Sequence, residues 1–166
     1  MSGPLTIRWV ARPELCVAQA AYVVATGSRC VDPKLEQRLV EPVTGINTRL
    51  ISASIDVAAF WQHYRREVAR TDDGRASCAA ALLAAGCSEL QLEQTTKAVS
   101  SRLSECRTQF QHRFPKLEDQ LKLRGRPLSE QWNESGTGLL RQIQRRIWGT
   151  GPPDNWWPTR IDGLLV

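Results

Sequence analysis

The sequence lacks several features that would assign it to a class of protein. No apolar run approaches the roughly 18 residues that a membrane-spanning helix needs, and the first residues lack the basic and apolar blocks of a signal peptide. Histidine occurs only twice, and no pair of the 5 cysteines has the spacing typical of zinc or redox motifs. We therefore expect no membrane partner, no secretion signal and no structural zinc site.

Motifs typical of catalysis are also missing. There is no nucleophile elbow, and no cysteine has a histidine at local spacing. The segment Ser135-Gly136-Thr137-Gly138 precedes a helix but lacks the Gly-Lys-Ser/Thr ending of a phosphate-binding loop. The sequence therefore predicts no cofactor, and it favours a non-catalytic protein while leaving enzyme activity open.

The composition is that of a globular protein. The 166 residues are 42% hydrophobic and 23% charged, and this length fits a single domain of about 100–200 residues. Cys16, Cys78 and Cys106 fall within apolar helical patterns, where reduced thiols pack as small hydrophobes. We expect one helical domain over residues 1–166 and a cytoplasmic location.

Helical periodicity dominates the chain. From about residue 89 to residue 113, apolar or small side chains recur at alternating spacings of four and three, namely at Leu92, Thr96, Val99, Leu103, Cys106 and Phe110. This heptad seam is too short for an independent coiled coil, because short isolated helices are marginally stable in water. The pattern predicts a mostly α-helical, multi-helix bundle with one long helix at about 89–113.

Shorter helices are predicted around this long one. Asp32-Pro33 has the form of a helix start, and we expect that helix to end near Val40, before a turn-rich connection at residues 42–47. A second helix is expected over residues 51–70. The glycines at positions 136 and 138 predict a break before a last helix at residues 139–148.

The two ends of the sequence are apolar. Residues 5–10 alternate apolar and polar side chains as a half-buried strand does, and the sequence closes on Leu164-Leu165-Val166. Two explanations account for this closing segment. Either the two ends pair in a small two-stranded element, or the chain is the front part of a longer protein.

Positive charge is concentrated in one third of the sequence. Residues 97–148 contain eleven cations and five anions, whereas residues 1–96 contain ten of each sign. This excess favours an anionic partner, although arginine also pairs with carboxylates within folds and at protein interfaces. The candidate anion-binding or nucleic-acid-binding residues are Lys122, Arg124, Arg126, Arg141, Arg145 and Arg146.

Tryptophans provide further candidate contacts. Trp132 and Trp148 flank the basic residues, where they would either stack on nucleic-acid bases or anchor the core. Trp156 and Trp157 are adjacent and precede a proline, so one of the two indoles is expected to face solvent. We identify Trp156 and Trp157 as candidate partner-binding residues.

One polar group allows an alternative, enzymatic interpretation. Asp56, His63 and Glu67 would share a face of the predicted helix at residues 51–70, and His63 and Glu67 are one turn apart, as metal ligands can be. The opposing interpretation is a local His–Glu contact on an exposed stripe. For Asp56, the opposing interpretation is a structural ion pair with Arg49 or Arg12.

Taken together, these features order three hypotheses. The first is a non-catalytic helical module that docks on another macromolecule through its Arg-rich C-terminal region and its apolar terminal segment. For this hypothesis, the favoured partner is a protein. The second is a protein that binds the phosphate backbone of nucleic acid. The third is a metal-dependent enzyme centred on Asp56, His63 and Glu67.

Overall fold

The structure, a computed structural model, describes residues 5–149 and 160–166. It divides the chain into two compact units. The helical unit comprises Pro13–Leu117, and the terminal unit combines the described residues of Met1–Arg12 with those of Glu118–Val166. The single domain expected over residues 1–166 stays a prediction.

The described part of the chain is mostly helical, as the sequence predicts. None of its helices combines the length and the apolar character that crossing a membrane requires. In chain order the elements are β1 (Thr6–Ala11), α1 (Pro13–Ala25), α2 (Pro33–Ser52), α3 (Val57–Arg70), α4 (Gly74–Ala84), α5 (Glu89–Arg113), α6 (Leu117–Gln131), a π-helical turn (Trp132–Gly136), α7 (Thr137–Trp148) and β2 (Arg160–Leu165).

The long helix α5 has the predicted bounds and packs antiparallel to α2 in the helical unit. Arg113 at the end of α5 pairs with Asp32 before α2 at 2.7 Å, and Arg102 in the middle of α5 lies against Gly45 of α2. Val99, Leu103, Cys106 and Phe110 of the heptad seam are buried. The heptad pattern therefore marks a helix within a bundle, as predicted.

Aromatic side chains of α3 form the centre of the helical unit. Phe60 and Trp61 are completely buried, and their rings contact Tyr64 at centroid distances of 5.7 and 6.2 Å. The indole Nε1 of Trp61 donates a hydrogen bond to Asn47 Oδ1 at 2.9 Å, which satisfies the one polar group of this buried ring. The core thus joins α3 to α2.

The helix α2 is longer than the sequence analysis predicts. It continues from Pro33 to Ser52, so the prediction of an end near Val40 and a turn-rich connection at residues 42–47 is wrong. A proline inside a helix costs about 3 kcal/mol. Burial of Leu39, Val43, Ile46 and Leu50 opposes this cost, since each such side chain contributes about 1.5–3 kcal/mol. Packing therefore outweighs Pro42.

The predicted helix at residues 51–70 is interrupted. α2 ends at Ser52, Ser54 adopts a positive φ of 56°, and α3 begins at Val57. Asp56 is exposed and caps α3, because its Oδ1 accepts a hydrogen bond from the Ala59 N–H at 2.9 Å. The expectation that Asp56 lies within a continuous helix is therefore wrong, and the ion pair with Arg49 does not form among the described residues. An ion pair with Arg12 stays a prediction.

The terminal unit contains the small two-stranded element expected from the sequence. β1 pairs with β2 in parallel, from Thr6 opposite Arg160 to Ala11 opposite Leu165. Arg8 donates two hydrogen bonds to the Asp162 carboxylate, at 3.0 and 2.7 Å. Gly125 of α6 lies directly against the Leu165 side chain and leaves no room for a Cβ atom. The strands thus pack on α6.

The glycine-rich segment at residues 135–138 does not break the helix, contrary to the sequence prediction. Gln131 and Thr137 keep right-handed helical dihedrals, so the backbone passes from α6 through the π-helical turn into α7. Gly136 is also helical, and a Cβ atom there would approach the Trp132 indole to 2.5 Å. Glycine is therefore needed here for close packing.

All five cysteines are free thiols. Cys78 and Cys106 are completely buried, whereas Cys16 is half-buried. Burial raises the pKa of Cys78 to about 11 and that of Cys106 to about 12. These two thiols are therefore protonated and unreactive near neutral pH, as expected of core residues.

Candidate functional site

The helical run from Glu118 to Trp148 carries all six basic residues of the candidate site. Lys122, Arg124 and Arg126 lie on α6, and Arg141, Arg145 and Arg146 lie on α7. All six side chains are exposed. The structure therefore places the predicted cations at the surface of one unit, in two groups separated by the π-helical turn.

Within the described ranges, one of these six cations has an acidic partner. Lys122 pairs with Glu118 at 2.6 Å, and this carboxylate raises the pKa of the lysine. Among residues 5–149 and 160–166, no acidic side chain lies within ion-pair distance of Arg124, Arg126, Arg141, Arg145 or Arg146. The described residues therefore supply no acidic partner for the arginines of α7.

The arginines of α5 provide the contrast. Arg102 pairs with Glu105 at 2.8 Å, and Arg113 pairs with Asp32 at 2.7 Å. The first pair lies within α5, and the second joins the end of α5 to the start of α2. Among the described residues, these two arginines of α5 therefore have acidic partners, whereas the five arginines of the candidate site on α6 and α7 have none.

One side of α7 concentrates the unpaired charge. Gln142 lies one turn from Leu139, Arg145 and Arg146, so these side chains are neighbours on the helix surface. We call Leu139, Gln142, Arg145 and Arg146 the outer face of α7. The side chain of Leu139 is 53% exposed to solvent, and that of Ile147, beside this face, is 60% exposed. The outer face is therefore cationic with an apolar border.

The opposite part of α7 is covered. Leu140 is buried and Ile143 is half-buried. Since α7 contains three arginines and no acidic residue, its exposed surface has one sign of charge. Sequence periodicity identifies the apolar residues of α7, but it does not show which of them stay exposed. That distinction depends on the packing of the terminal unit.

Two of the four candidate tryptophans lie in the described part of the chain. Trp132 is half-buried, and its indole lies against Gly136, one turn later in the same helical run. Trp148 is also half-buried. Neither indole is a fully exposed platform on which a base could stack. Trp156 and Trp157 lie outside the described residues, so their proposed contact with a partner stays a prediction.

The weak metal candidate consists of His63 and Glu67 on α3. Both side chains are half-buried, and Glu67 pairs with Arg70 at 3.4 Å. In the part of the chain that the structure describes, no three histidine, cysteine or carboxylate side chains come together as a metal site would require. A metal at His63 and Glu67 stays a prediction that the geometry of these residues does not strengthen.

Comparisons with protein-family models, with curated proteins and with solved structures found no match to this chain. The function proposed below therefore rests on the residues and geometry of this protein.

Proposed function

We propose that this protein is a non-catalytic interaction module that docks on an acidic surface of a partner protein through the outer face of α7. The observation that carries this proposal is the set of exposed arginines on α7 without an acidic partner among the described residues. Exposed guanidinium groups bind carboxylates in bidentate geometry, and arginine is enriched at protein interfaces.

Exposed apolar side chains favour a protein over nucleic acid as the partner. Leu139 and Ile147 are 53% and 60% exposed, and Leu123 on α6 is 62% exposed. A protein partner would bury this apolar area, which stabilises a complex by roughly 25 cal/mol per Å². A phosphate backbone offers no comparable apolar surface. The mixture of arginine and leucine therefore fits an acidic protein surface with an apolar patch.

The second candidate is a nucleic-acid backbone, favoured by the unpaired arginines alone. Salt-dependent retention on duplex DNA or RNA measures this property, because each phosphate contact releases counterions. If nucleic acid is the partner, Arg145→Glu/Arg146→Glu abolishes the retention. If the partner is a protein, the native chain elutes from DNA at low salt.

The test of the proposal is photo-crosslinking inside the cells from which the gene comes. Gln142 is replaced by a photo-reactive amino acid, since this exposed residue of the outer face lies one turn from both Arg145 and Arg146 and carries no charge. The matched control carries the same group at Gln37, an exposed glutamine of α2. Each adduct is then treated separately with protease and with nuclease.

The proposal predicts an adduct from position 142 that protease destroys and nuclease leaves intact. It also predicts that the crosslinked surface of the partner is acidic, as peptide mass spectrometry of the adduct would show. A nuclease-sensitive adduct supports the second candidate instead. Equal yields of the same adduct from positions 142 and 37 would contradict a role for α7.

A further inference from the structure

The helical unit contains a polar cavity that is separate from α7. Its volume is about 210 Å³, and residues of α1, α3, α4 and α5 line it. Sites for drug-sized ligands have volumes of about 300–1,000 Å³. A cavity of this smaller size would hold a small metabolite, and none of its lining residues belongs to the proposed docking face.

Opposite charges face each other in this cavity. Glu14 of α1 and Arg107 of α5 both line it, and their charged atoms are 3.8 Å apart. This distance is too long for a good hydrogen bond, and the side chains stay 37% and 45% exposed. Arg75 adds a second cation to the lining. The cavity therefore presents charges of both signs.

Ser100 lines the cavity, and its hydroxyl is buried without a hydrogen-bond partner among the described residues. The Tyr64 side chain, which also lines the cavity, is 9% exposed. Burial raises the pKa of Tyr64 well above its usual value, so the hydroxyl keeps its proton and can donate it. A buried hydroxyl without a partner, such as that of Ser100, is costly, which indicates that a ligand or solvent completes this site.

We propose that this cavity binds a small zwitterion of the amino-acid class. The carboxylate of the ligand pairs with Arg107 and accepts a hydrogen bond from the Tyr64 hydroxyl, and the ammonium group pairs with Glu14. Val17 and Leu103, which also line the cavity, contact the aliphatic part of the ligand.

The presence of both acidic and basic side chains in the cavity lining favours a zwitterion over a singly charged ligand. A ligand with only a carboxylate would meet Glu14 as well as the arginines, and a ligand with only an ammonium group would meet both arginines. A molecule carrying both groups pairs each with its opposite. The nearby hydroxyls of Ser100 and Ser104 lie in the same lining and can complete the hydrogen bonds of either group.

Titration of the full chain with L-alanine, L-serine and L-glutamine tests this proposal, with propionate and ethylamine as the singly charged controls. Binding is followed by amide chemical shifts in two-dimensional NMR spectra. Two variants remove one proposed contact each, namely Tyr64→Phe, which deletes only the hydroxyl, and Arg107→Gln. The matched control is Arg102→Gln, on the same helix but outside the cavity lining.

The proposal predicts saturable shifts at residues lining the cavity for at least one of the amino acids. It predicts binding at least about tenfold weaker in Tyr64→Phe and Arg107→Gln, because a hydrogen bond or ion pair to a charged group is lost, and unchanged binding in Arg102→Gln. Thermal unfolding checks that each variant is folded. Absence of saturable shifts, equal binding of propionate or ethylamine, or equal loss in the control would each overturn the proposal.

Discussion

At the scale of single residues, three aspartates determine where helices begin. Asp32, Asp56 and Asp73 each accept hydrogen bonds from backbone N–H groups in the first turn of the helix that follows. These N–H groups have no partner within their own helix, so a side-chain oxygen at this position stabilises the helix. Proline after Asp32 made that start predictable from the sequence.

Asp56 was not predictable in the same way. It is flanked by Ile55 and Val57, and the surrounding apolar residues continue a helical pattern across the actual break. The turn depends on Ser54 at a φ of 56° and on the hydrogen bond from the Asp56 N–H to the Ala85 carbonyl at 3.4 Å. A contact between residues so distant in sequence leaves no signal in local periodicity.

Replacing Asp56 tests its role as a cap. Asp56→Ala should lower the free energy of unfolding by about 1 kcal/mol, because the Ala59 N–H loses its acceptor. Asp56→Ser should retain most of the stability, since serine also caps helices. Urea unfolding measures both values. If serine is as destabilising as alanine, the carboxylate has another role and the capping assignment is wrong.

Asp32 should make the stability depend on pH. Hydrogen bonding from the Leu35 N–H, with help from Arg113, lowers the pKa of Asp32 below its ordinary value of 3.8. A group whose pKa is lowered by folding stabilises the fold above its unfolded pKa, and this contribution is lost as the pH falls through the folded pKa. The stabilisation is therefore fully present near neutral pH.

Asp32→Asn isolates this contribution, because asparagine retains the cap but not the charge. The variant should be less stable than the native protein near neutral pH and equally stable once the pH is below the folded pKa of Asp32. Urea unfolding over that pH range measures the difference. A difference that is constant with pH would show that the carboxylate charge is not responsible.

At the scale of elements, local propensity predicted helix breaks at proline and glycine where packing keeps the helix continuous. The heptad spacing located α5 correctly, because its buried residues follow one regular seam. Pro42 and Gly136 suggested breaks that the structure does not have. Both residues are buried within their elements, so tertiary contacts determine their conformation, and these contacts cannot be derived from local sequence.

Pro127 allows the cost of a helical proline to be measured. It lies inside α6 and is exposed, so its replacement by alanine removes little packing. The helix should gain about 3 kcal/mol from the substitution, reduced by about 0.4–1 kcal/mol because the unfolded chain also becomes freer. We therefore expect Pro127→Ala to raise the free energy of unfolding by about 2 kcal/mol.

Pro42→Ala serves as the comparison. Pro42 is buried in α2, so alanine there also removes apolar contacts, and the gain should be smaller than at Pro127. Urea unfolding followed by circular dichroism measures both variants. If Pro127→Ala leaves the protein no more stable, α6 is not a regular helix around this residue.

At the scale of the whole molecule, the sequence predicted the helical character and offered the pairing of the two ends as one of two explanations for their apolar residues. It also predicted the cation-rich stretch, but not its division into paired and unpaired arginines. Arg102 pairs with Glu105 on its own helix and Arg113 pairs with Asp32 before α2, whereas α7 has no acidic residue of its own. The pair of Arg113 with Asp32 depends on how α2 and α5 pack, which local sequence does not show.

The cavity residues were also beyond the reach of the sequence analysis. Glu14, Tyr64 and Arg107 lie on three different helices, and none of them belongs to a motif with regular spacing. No local sequence pattern predicts that these three residues lie close together. Their proximity depends on how α1, α3 and α5 pack against one another.

The most direct test of the docking proposal is the yield of the photo-adduct formed at position 142 in two charge-reversed variants. Arg145→Glu/Arg146→Glu reverses two cations of the outer face of α7. Arg29→Glu/Arg66→Glu changes the net charge equally at two exposed arginines of the helical unit. The account predicts that the first variant lowers the yield at least about tenfold, as like charges then face each other, and that the second leaves it unchanged. Equal yields in both variants would contradict it.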